Sequence, residues 1–374
     1  RLIYYVAPAV AKAAMDSGVA KYPIKNWDAY ENELYKRLGS DDNLLRYIIN
    51  KAKQAPKRVI FAEAENLKIL KAAQIVNDEG IAIPILLGKK EKINALIEEH
   101  GLQLENIQII DPKCDSMEDK RYEYGQKFFE KRQRKGYNLY EAKKVMRERA
   151  YFGSMMLANG EADALISGIT RKYQDMLRPA LQIIGMKKEV KRVAGMYMML
   201  TKKGPIFFAD ASVNFNPTED ELVDITVLAA KEVENFNIKP RIAMLSYSNF
   251  GSSDSAEAIL VRNAVAKLKA THPELIVDGE MQASVAFNQE LMKENYPFSA
   301  LVNETPNVFI FPNLSAGNIA YNLLQEIGGA EAIGPILLGL NKPVHVLQLG
   351  STVRQIVNMV AISVVEAQLK SSKK

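Results

Sequence analysis

The chain has 374 residues, a formal net charge of +5 and a single cysteine, Cys114. One cysteine excludes an intrachain disulfide, and the mild positive charge is too weak to indicate a nucleic-acid partner. There is no signal peptide and no apolar run long enough to span a bilayer, so we expect a cytoplasmic protein without a membrane partner. The length predicts two or three domains, and an apolar content of 48% is enough for a large core.

The first forty-two residues are predicted to be a helix followed by a linker. Residues 6–19 form an alanine-rich segment that ends at Gly18, a residue type common just after helices. Residues 21–42 are polar and are predicted to form a helical linker. Its aromatic residues at helical spacing, which we expect to pack on a neighbour, are Trp27, Tyr30 and Tyr35. Because the chain begins at Arg1, without methionine and inside a predicted helix, we expect a fragment of a longer polypeptide.

From residue 43 the pattern alternates between short apolar runs and amphipathic stretches. Strands are predicted at 58–62, 82–87, 106–110 and 164–166, and helices at 66–79, 90–101, 115–136, 140–160 and from 175 onwards. Strands alternating with helices in this way predict parallel βαβ units.

The second half of the chain opens with a predicted hairpin, 192–200 and 204–209. Thr218 and Glu221 then form a predicted capping box at the start of a helix. Later strands are predicted at 241–245, 307–311 and 344–347, and later helices at 256–270, after 313–318 and at 350–370. The whole pattern indicates an α/β protein.

The stretch 162–182 (ADALISGITRKYQDMLRPALQ) carries the strongest indication of a binding site. A strand ends at Ser167-Gly168, a polar turn follows at Thr170, and a helix begins near Asp175. Free backbone N–H groups at such a turn, with the helix dipole, favour an anion, and two nearby arginines suit a phosphate. The alternative is an ordinary strand-to-helix turn with surface arginines.

Two other loops have the same composition, rich in Ser, Gly and Asn and without histidine. They follow the predicted strands at 241–245 and 307–311, and such loops lie at the carboxyl ends of strands, where α/β proteins bind ligands. The candidate residues for a phosphate-bearing ligand are Ser167, Gly168, Thr170, Arg171, Arg178, Ser246, Ser248, Asn313, Ser315 and Asn318. The acidic residues near strand ends are expected to be turn or cap residues; they are Asp210, Asp278 and Glu280. The sequence has no metal-binding motif and no dinucleotide fingerprint, so neither metal nor cofactor is expected in this chain.

From residue 58 to 369 the chain resembles the phosphate acetyltransferase (phosphotransacetylase) family. The matching segments are 151–153 (YFG), 162–182, 207–210 (FFAD), 243–248 (AMLSYS), 277–280 (VDGE), 310–319 (IFPNLSAGNI), 329–337 (GAEAIGPIL) and 355–358 (QIVN). The resemblance implies a two-domain α/β fold like that of isocitrate and isopropylmalate dehydrogenases, with a central cleft, usually as a dimer. It places the first domain at 43–188 plus 338–374 and the second at 189–337.

The N-terminal stretch VAPAVAKAAMDSGVA is similar to the closing helix of bacterial malic enzymes. Together with the rest of the chain, it resembles the large hybrid NADP-dependent malic enzymes, which carry a phosphotransacetylase-like C-terminal domain. Residues 1–42 would then be the end of the malic enzyme domain and a linker. NADP and a divalent metal, Mg²⁺ or Mn²⁺, would be bound in the missing part.

At the last strand-to-helix turn the chain departs from the family. Active phosphotransacetylases have a serine that interacts with the CoA thiol, an arginine for the phosphoryl substrate, and an aspartate proposed as the base. The corresponding residues here are Gln348, Leu349 and Gln355. An amide is not a general base and leucine cannot pair with a phosphate, whereas base catalysis is worth about 10²–10⁴-fold.

These replacements favour a regulatory module, a domain that binds acetyl-CoA or a related acyl-CoA and controls malate oxidation. Two alternatives stay open: an active acetyltransferase that uses other residues, and a domain that only assembles the malic enzyme as a homo-oligomer.

Overall fold

The computed structural model describes residues 2–27, 30, 43–202 and 204–371. In those ranges the strands are β1 Lys57–Phe61, β2 Ala82–Leu87, β3 Gln108–Ile110, β4 Ala164–Ser167, β5 Ala194–Thr201, β6 Gly204–Ala209, β7 Arg241–Leu245, β8 Ile276–Met281, β9 Val308–Ile310, β10 Glu331–Leu338 and β11 Val344–Val346. The helices are α1 Leu2–Asp16, α2 Asn43–Gln54, α3 Leu67–Asp78, α4 Lys90–Glu99, α5 Glu118–Arg132, α6 Leu139–Val145, α7 Arg149–Ala158, α8 Tyr173–Ile183, α9 Glu219–Asn235, α10 Ala256–Thr271, α11 Ala283–Ala286, α12 Gln289–Asn295, α13 Leu314–Glu326 and α14 Val353–Ser371.

The first sheet is parallel, with the strand order β11-β4-β1-β2-β3. Its central strand, β1, has three consecutive buried residues, Val59, Ile60 and Phe61. Such a continuous apolar run is typical of a parallel strand covered on both faces. The long, largely buried helix α14 packs against α2 and α3 on one side of this sheet.

The second sheet is mixed, with the order β10-β5-β6-β9-β7-β8. The hairpin β5–β6 is antiparallel, as its sequence pattern predicts, and β10 also runs antiparallel to β5. The other pairs are parallel. The parallel βαβ pattern predicted from alternation therefore holds for the first sheet and for only part of the second.

Two strands of the second sheet are not evident from periodicity. β8 has the sequence IVDGEM, in which the buried acids Asp278 and Glu280 interrupt the apolar pattern. β10 contains Gly334 and Pro335, and its register against β5 shifts at that point. Charged residues and a Gly-Pro pair are rare inside strands, so the sequence pattern does not indicate either strand.

The chain passes from the first sheet to the second between Ser167 and Ala194. It returns between Leu338 and Val344. The first sheet therefore combines strands from both ends of the chain, whereas the second uses one continuous stretch. The predicted domain limit at 188/189 falls between β4 and β5, whereas the limit at 337/338 lies inside β10, one residue before its end. The domain division stays a prediction.

The N-terminal segment begins with the predicted helix, which ends before Gly18 (φ +74°). Trp27 meets Tyr30 edge to face, with ring centroids 5.9 Å apart, and lines a small cavity with Pro8 and Lys12 of α1. Tyr35 and most of the predicted linker lie outside the described residues. Within the ranges given above, none of the helices is long and apolar enough to cross a membrane.

Candidate functional site

The backbone N–H groups of the loop after β4 donate hydrogen bonds to a carboxylate of the same chain. Glu63, which follows β1, is 5% exposed. Its Oε2 accepts the N–H groups of Gly168 at 2.5 Å and Ile169 at 2.7 Å, and its Oε1 accepts the N–H of Thr170 at 3.1 Å and the hydroxyl of the same residue. The prediction that these amides are free for a ligand anion is therefore wrong. An internal carboxylate already holds the position that a phosphate would take at such a loop.

Gly168 is required at this loop by its conformation and by close contacts. Its φ is +103°, and a Cβ atom here would lie 2.6 Å from Val346 Cγ1 and 2.7 Å from the carbonyl oxygen of Leu347. The backbone of β11 thus passes directly over the loop. The N–H of Leu347 donates to the carbonyl oxygen of Ser167 at 2.6 Å, so the ends of β4 and β11 are fastened together here.

The loop after β7 donates hydrogen bonds to a second internal carboxylate, that of Glu280 in β8. Glu280 accepts hydrogen bonds from Ser248 Oγ at 3.0 Å and Gly251 N at 2.9 Å, and its ion pair with Arg262 has an N–O distance of 3.1 Å. Burial disfavours the charged form of Glu280, but these donors outweigh it and hold the pKa below its usual value. The predicted site residue Ser246 accepts the N–H of Ser248, so both serines serve the loop itself.

Asp210 organises the turn after β6 in the same way. Its carboxylate accepts the backbone N–H groups of Gly195, Ser212, Val213 and Asn214, and also the Asn214 side-chain amide. Burial raises the pKa of Asp210, and these hydrogen bonds oppose that rise. The expectation that Asp210 is a turn residue is confirmed by these bonds.

A cavity of about 670 Å³ lies next to these loops. The segments that line it come from both sheets: the turn and helix after β4, strand β5, the turn after β6, helix α13 and the loop after β11. The lining residues are Gly168, Arg171, Lys172, Tyr173, Gln174, Leu177, Tyr197, Ser212, Val213, Phe215, Leu314, Asn318, Tyr321, Pro335, Leu347, Gln348, Leu349 and Gly350. Its cations are exposed on the turn after β4, whereas much of the remaining lining is apolar or aromatic.

Gln348, at the family's serine position, bridges two tyrosines in this cavity. Its Nε2 donates to the hydroxyl oxygen of Tyr197 at 2.5 Å and to that of Tyr321 at 2.8 Å. The two rings are stacked, with centroids 4.0 Å apart and an interplanar angle of 14°. Burial raises the pKa of Tyr197, so its hydroxyl stays protonated.

The other two replaced positions have separate roles. Leu349 is 68% exposed and lines the cavity, so an apolar side chain stands where the family has a cation. Gln355 lies at the start of α14, where its Oε1 accepts the N–H of Thr352 and its own N–H donates to the Thr352 hydroxyl. Its Nε2 donates to the carbonyl oxygen of Ala332 in β10 at 3.0 Å. This glutamine therefore caps a helix and does not line the cavity.

A second cavity, of about 210 Å³, shares Arg171 with the larger one. Three arginines line it, Arg149, Arg171 and Arg178, together with three acidic residues, Glu63, Glu148 and Asp175. Arg149 pairs with Glu65 at 3.2 Å. Arg171 and Arg178 have no ion pair with a carboxylate in the part of the chain that the structure describes, so both guanidinium groups are available to an anion.

The predicted site residues thus divide into separate groups. Gly168, Arg171, Asn318, Gln348 and Leu349 line the larger cavity, and Arg178 lines the smaller one. Ser167, Ser246, Ser248, Asn313 and Ser315 line neither cavity. Asn313 caps α13 through the N–H of Ala316 and bonds to Glu257, and Thr170 is tied to Glu63.

Several residues that shape the site are not indicated by the sequence pattern. Glu63, Tyr197 and Tyr321 come from segments far apart in sequence, and each looks like an ordinary turn or packing residue by itself. Arg149 begins α7 after a run of charged residues and has no motif around it. Lys172 follows Arg171 on the polar turn and has no motif of its own. Only the fold brings these side chains to one place.

Comparison with known proteins shows which family the chain resembles. The profile of the phosphate acetyl/butaryl transferase family matches residues 43–364. The chain is 38% identical to the phosphate acetyltransferase of Clostridium acetobutylicum, over 87% of this chain and 99% of that protein. The crystal structure of a phosphotransacetylase from Streptococcus pyogenes covers 88% of this chain and 99% of its own, with 35% identity and a TM-score of 0.82.

The chain is also similar to malic enzymes. It is 42% identical to the NADP-dependent malic enzyme of Haemophilus influenzae, over 98% of this chain and 49% of that protein, so it spans about half the length of this relative. The family profile, the nearly complete coverage of a phosphate acetyltransferase and the matching fold lead to one conclusion. The chain belongs to the phosphate acetyl/butaryl transferase family.

Proposed function

We propose that this chain is the phosphotransacetylase-like C-terminal part of a malic enzyme, and that it binds acetyl-CoA or a related acyl-CoA as a regulatory ligand. Coverage of the chain supports the first half of the proposal. The phosphate acetyltransferase relative matches 87% of the chain, whereas the malic enzyme relative matches 98%, and the family profile begins at residue 43. The extra similarity therefore includes the N-terminal segment before residue 43.

The main support for the regulatory role is what the side chains at the three replaced positions do in the structure. Gln348 is held by two tyrosine hydroxyls, Leu349 brings no charge to the cavity, and Gln355 is a helix-capping amide. None of the three can do what the family's serine, arginine and aspartate are thought to do. Loss of a general base alone costs about 10²–10⁴-fold in rate. A binding site whose chemistry has been lost is well suited to sensing its ligand.

The residues that line the two cavities include arginines without an ion pair and an apolar and aromatic surface, which suit the two ends of an acyl-CoA, the phosphates and the acyl thioester. Arg171 borders both cavities, and Arg178 lies in the smaller one, so the phosphates would lie at this turn. The acyl end would then reach the larger cavity, toward Gln348 and its tyrosines. On this proposal the ligand lies in the expected cleft between the two predicted domains.

An active phosphate acetyltransferase is the second candidate. Its support is the 38% identity over nearly the whole Clostridium acetobutylicum enzyme. It would require other side chains to replace the base and the phosphate-binding cation.

On the first proposal, NADP and Mg²⁺ or Mn²⁺ bind to a part of the protein outside this chain, and the assembled protein is a homo-oligomer that oxidises malate to pyruvate. A purely assembling domain would not need the two free arginines.

Acetyl transfer between acetyl phosphate and CoA tests the choice between the two candidates. The purified chain is expected to show no transfer above the uncatalysed rate. A triple variant that restores the family's residues, Gln348→Ser with Leu349→Arg and Gln355→Asp, is the matched comparison. A robust rate in the parent chain, abolished by a substitution in the cavity such as Arg171→Ala, would overturn the regulatory reading and support the transferase.

A further inference from the structure

A pair of stacked tyrosines forms one wall of the larger cavity. Tyr197 comes from β5 and Tyr321 from α13; they are 2% and 5% exposed. Gln348 donates one N–H to each hydroxyl oxygen, at 2.5 and 2.8 Å. The three side chains therefore form a single unit, built from three elements, and all three residues line the cavity.

Counting protons shows that this unit still has a donor to offer. An amide NH₂ group has two protons, and both are used on the tyrosine oxygens. Each hydroxyl also has its own proton, and the two hydroxyls can bond to one another only once. With the Gln348 amide in this orientation, at least one O–H proton therefore needs another acceptor, and among the residues that the structure describes neither hydroxyl donates to one. Buried donors without an acceptor are rare in native proteins, so the O–H donates to an atom in the cavity: water in the free chain and an acceptor atom of the ligand when one is bound.

Resting on the proposed acyl-CoA site, we infer that the Tyr197–Tyr321 pair donates a hydrogen bond to the thioester carbonyl oxygen of the ligand, with Gln348 as the positioning residue. The free thiol of CoA has no such oxygen, so the site distinguishes acylated from free CoA. Apolar neighbours in the same cavity, Leu177 and Pro335, suit the alkyl part of a short acyl group.

The physical basis for selectivity is the buried donor itself. A site that is built to hydrogen-bond a ligand group discriminates against an analogue that lacks the group, because the site donor is then left without a partner. One neutral hydrogen bond contributes about five- to tenfold in affinity. That factor is large enough for a protein to respond to the ratio of acylated to free CoA.

Calorimetric titration with three ligands tests this inference: acetyl-CoA, free CoA, and S-ethyl-CoA, a thioether without the carbonyl oxygen. In the parent chain, acetyl-CoA is expected to bind about five- to tenfold more tightly than S-ethyl-CoA. In the double variant Tyr197→Phe with Tyr321→Phe, the two affinities should become equal, while S-ethyl-CoA binds as before. Gln348→Met, which removes the amide that aims the hydroxyls, should also lower the ratio. Tyr140→Phe, at an exposed hydroxyl outside both cavities, should leave the ratio unchanged.

The outcomes separate this inference from the proposed function. Equal binding of acetyl-CoA and S-ethyl-CoA by the parent chain overturns the assignment of the tyrosines and leaves acyl-CoA binding in place. Failure of all three ligands to bind overturns the proposed function. If the double variant does not fold, Tyr321→Phe and Gln348→Met give the same comparison, and an unchanged ratio in both contradicts the inference.

Discussion

Glu63 Oε2 accepts the N–H of Gly168 at 2.5 Å, across 105 residues of sequence. This bond joins the end of β1 to the loop after β4; Gly168 lines the larger cavity and Glu63 the smaller one. The same carboxylate also accepts hydrogen bonds from the N–H groups of Ile169 and Thr170. The backbone donors of this loop are therefore already used inside the chain. Phosphate recognition is therefore left to side chains, above all to the arginines on either side of the loop.

Replacing Glu63 should destabilise the fold. In Glu63→Gln the side chain keeps its size, but it has one acceptor oxygen, and its NH₂ group faces the backbone N–H donors. Leaving a buried donor unpaired costs about 1–3 kcal/mol, so we expect the free energy of unfolding to fall by that amount. Urea denaturation measures it, with Glu98→Gln on the exposed side of α4 as the control. A variant as stable as the parent would show that the carboxylate is not needed.

The arginines should determine the affinity for acyl-CoA. We expect Arg178→Ala and Arg171→Ala each to weaken binding by about 1.5–3 kcal/mol, the range for hydrogen bonds to charged groups. Calorimetry with acetyl-CoA measures the change, and Arg134→Ala, an exposed arginine that borders neither cavity, should have no effect. If both variants bind like the parent, the ligand lies elsewhere.

The stability of the chain should depend on pH through Glu232 of α9. Burial raises the pKa of this carboxyl to about 8, and the nearby Glu366 adds to the rise. An unfolded glutamate has a pKa of about 4.3, so folding takes up a proton between these values and stability falls as the pH rises from about 4.5 to 8. In Glu232→Gln the side chain is neutral throughout, and this part of the pH dependence should disappear.

Urea denaturation at pH 5, 6.5 and 8 checks the dependence on Glu232. Glu234→Gln is the matched control, because Glu234 lies on the same helix and is exposed. The parent and the control should lose stability across this range more steeply than Glu232→Gln. Parallel curves for all three proteins would mean that Glu232 is already ionised in the folded state.

Coupling to malate oxidation, if the proposed function holds, should pass through the N-terminal segment. Trp27 lines a small cavity with Pro8 and Lys12 of α1, the helix that the proposed function assigns to the end of the malic enzyme domain. In the full-length enzyme, acetyl-CoA should change the malate response by a coupling free energy of about 1–3 kcal/mol, and Trp27→Ala should reduce it. Malate kinetics with and without acetyl-CoA measure this. Tyr22→Ala, at a 92% exposed side chain of the same segment, is the control. A Trp27 variant that responds like the parent rules out this route.

Much of the fold could be predicted from the sequence because most elements follow simple patterns. The apolar run at β1 and the capping box of Thr218 and Glu221 at α9 are both confirmed in the structure. β8 is not evident from periodicity because its buried acids pair with cations of the preceding helix, α10: Asp278 bonds to Lys269 at 2.6 Å and Glu280 to Arg262. Local periodicity cannot show such pairs.

The site was harder to predict for the same reason. The sequence indicates a polar loop at Gly168, but Glu63, the carboxylate that accepts its N–H, lies more than a hundred residues earlier. A loop rich in small polar residues has the same sequence signature whether its amides bind a ligand or an internal carboxylate. Tyr197 and Tyr321 likewise gain a role only when β5 and α13 bring them together around Gln348.

Titration of the purified chain with acetyl-CoA in a calorimeter tests the central claim most directly. The account predicts a saturable heat with one ligand per chain, lost or strongly weakened in the Arg171→Ala, Arg178→Ala double variant, and no consumption of the ligand when inorganic phosphate is added. Absence of a binding heat at concentrations where the chain is folded would contradict the account, as would rapid conversion of acetyl-CoA to CoA and acetyl phosphate.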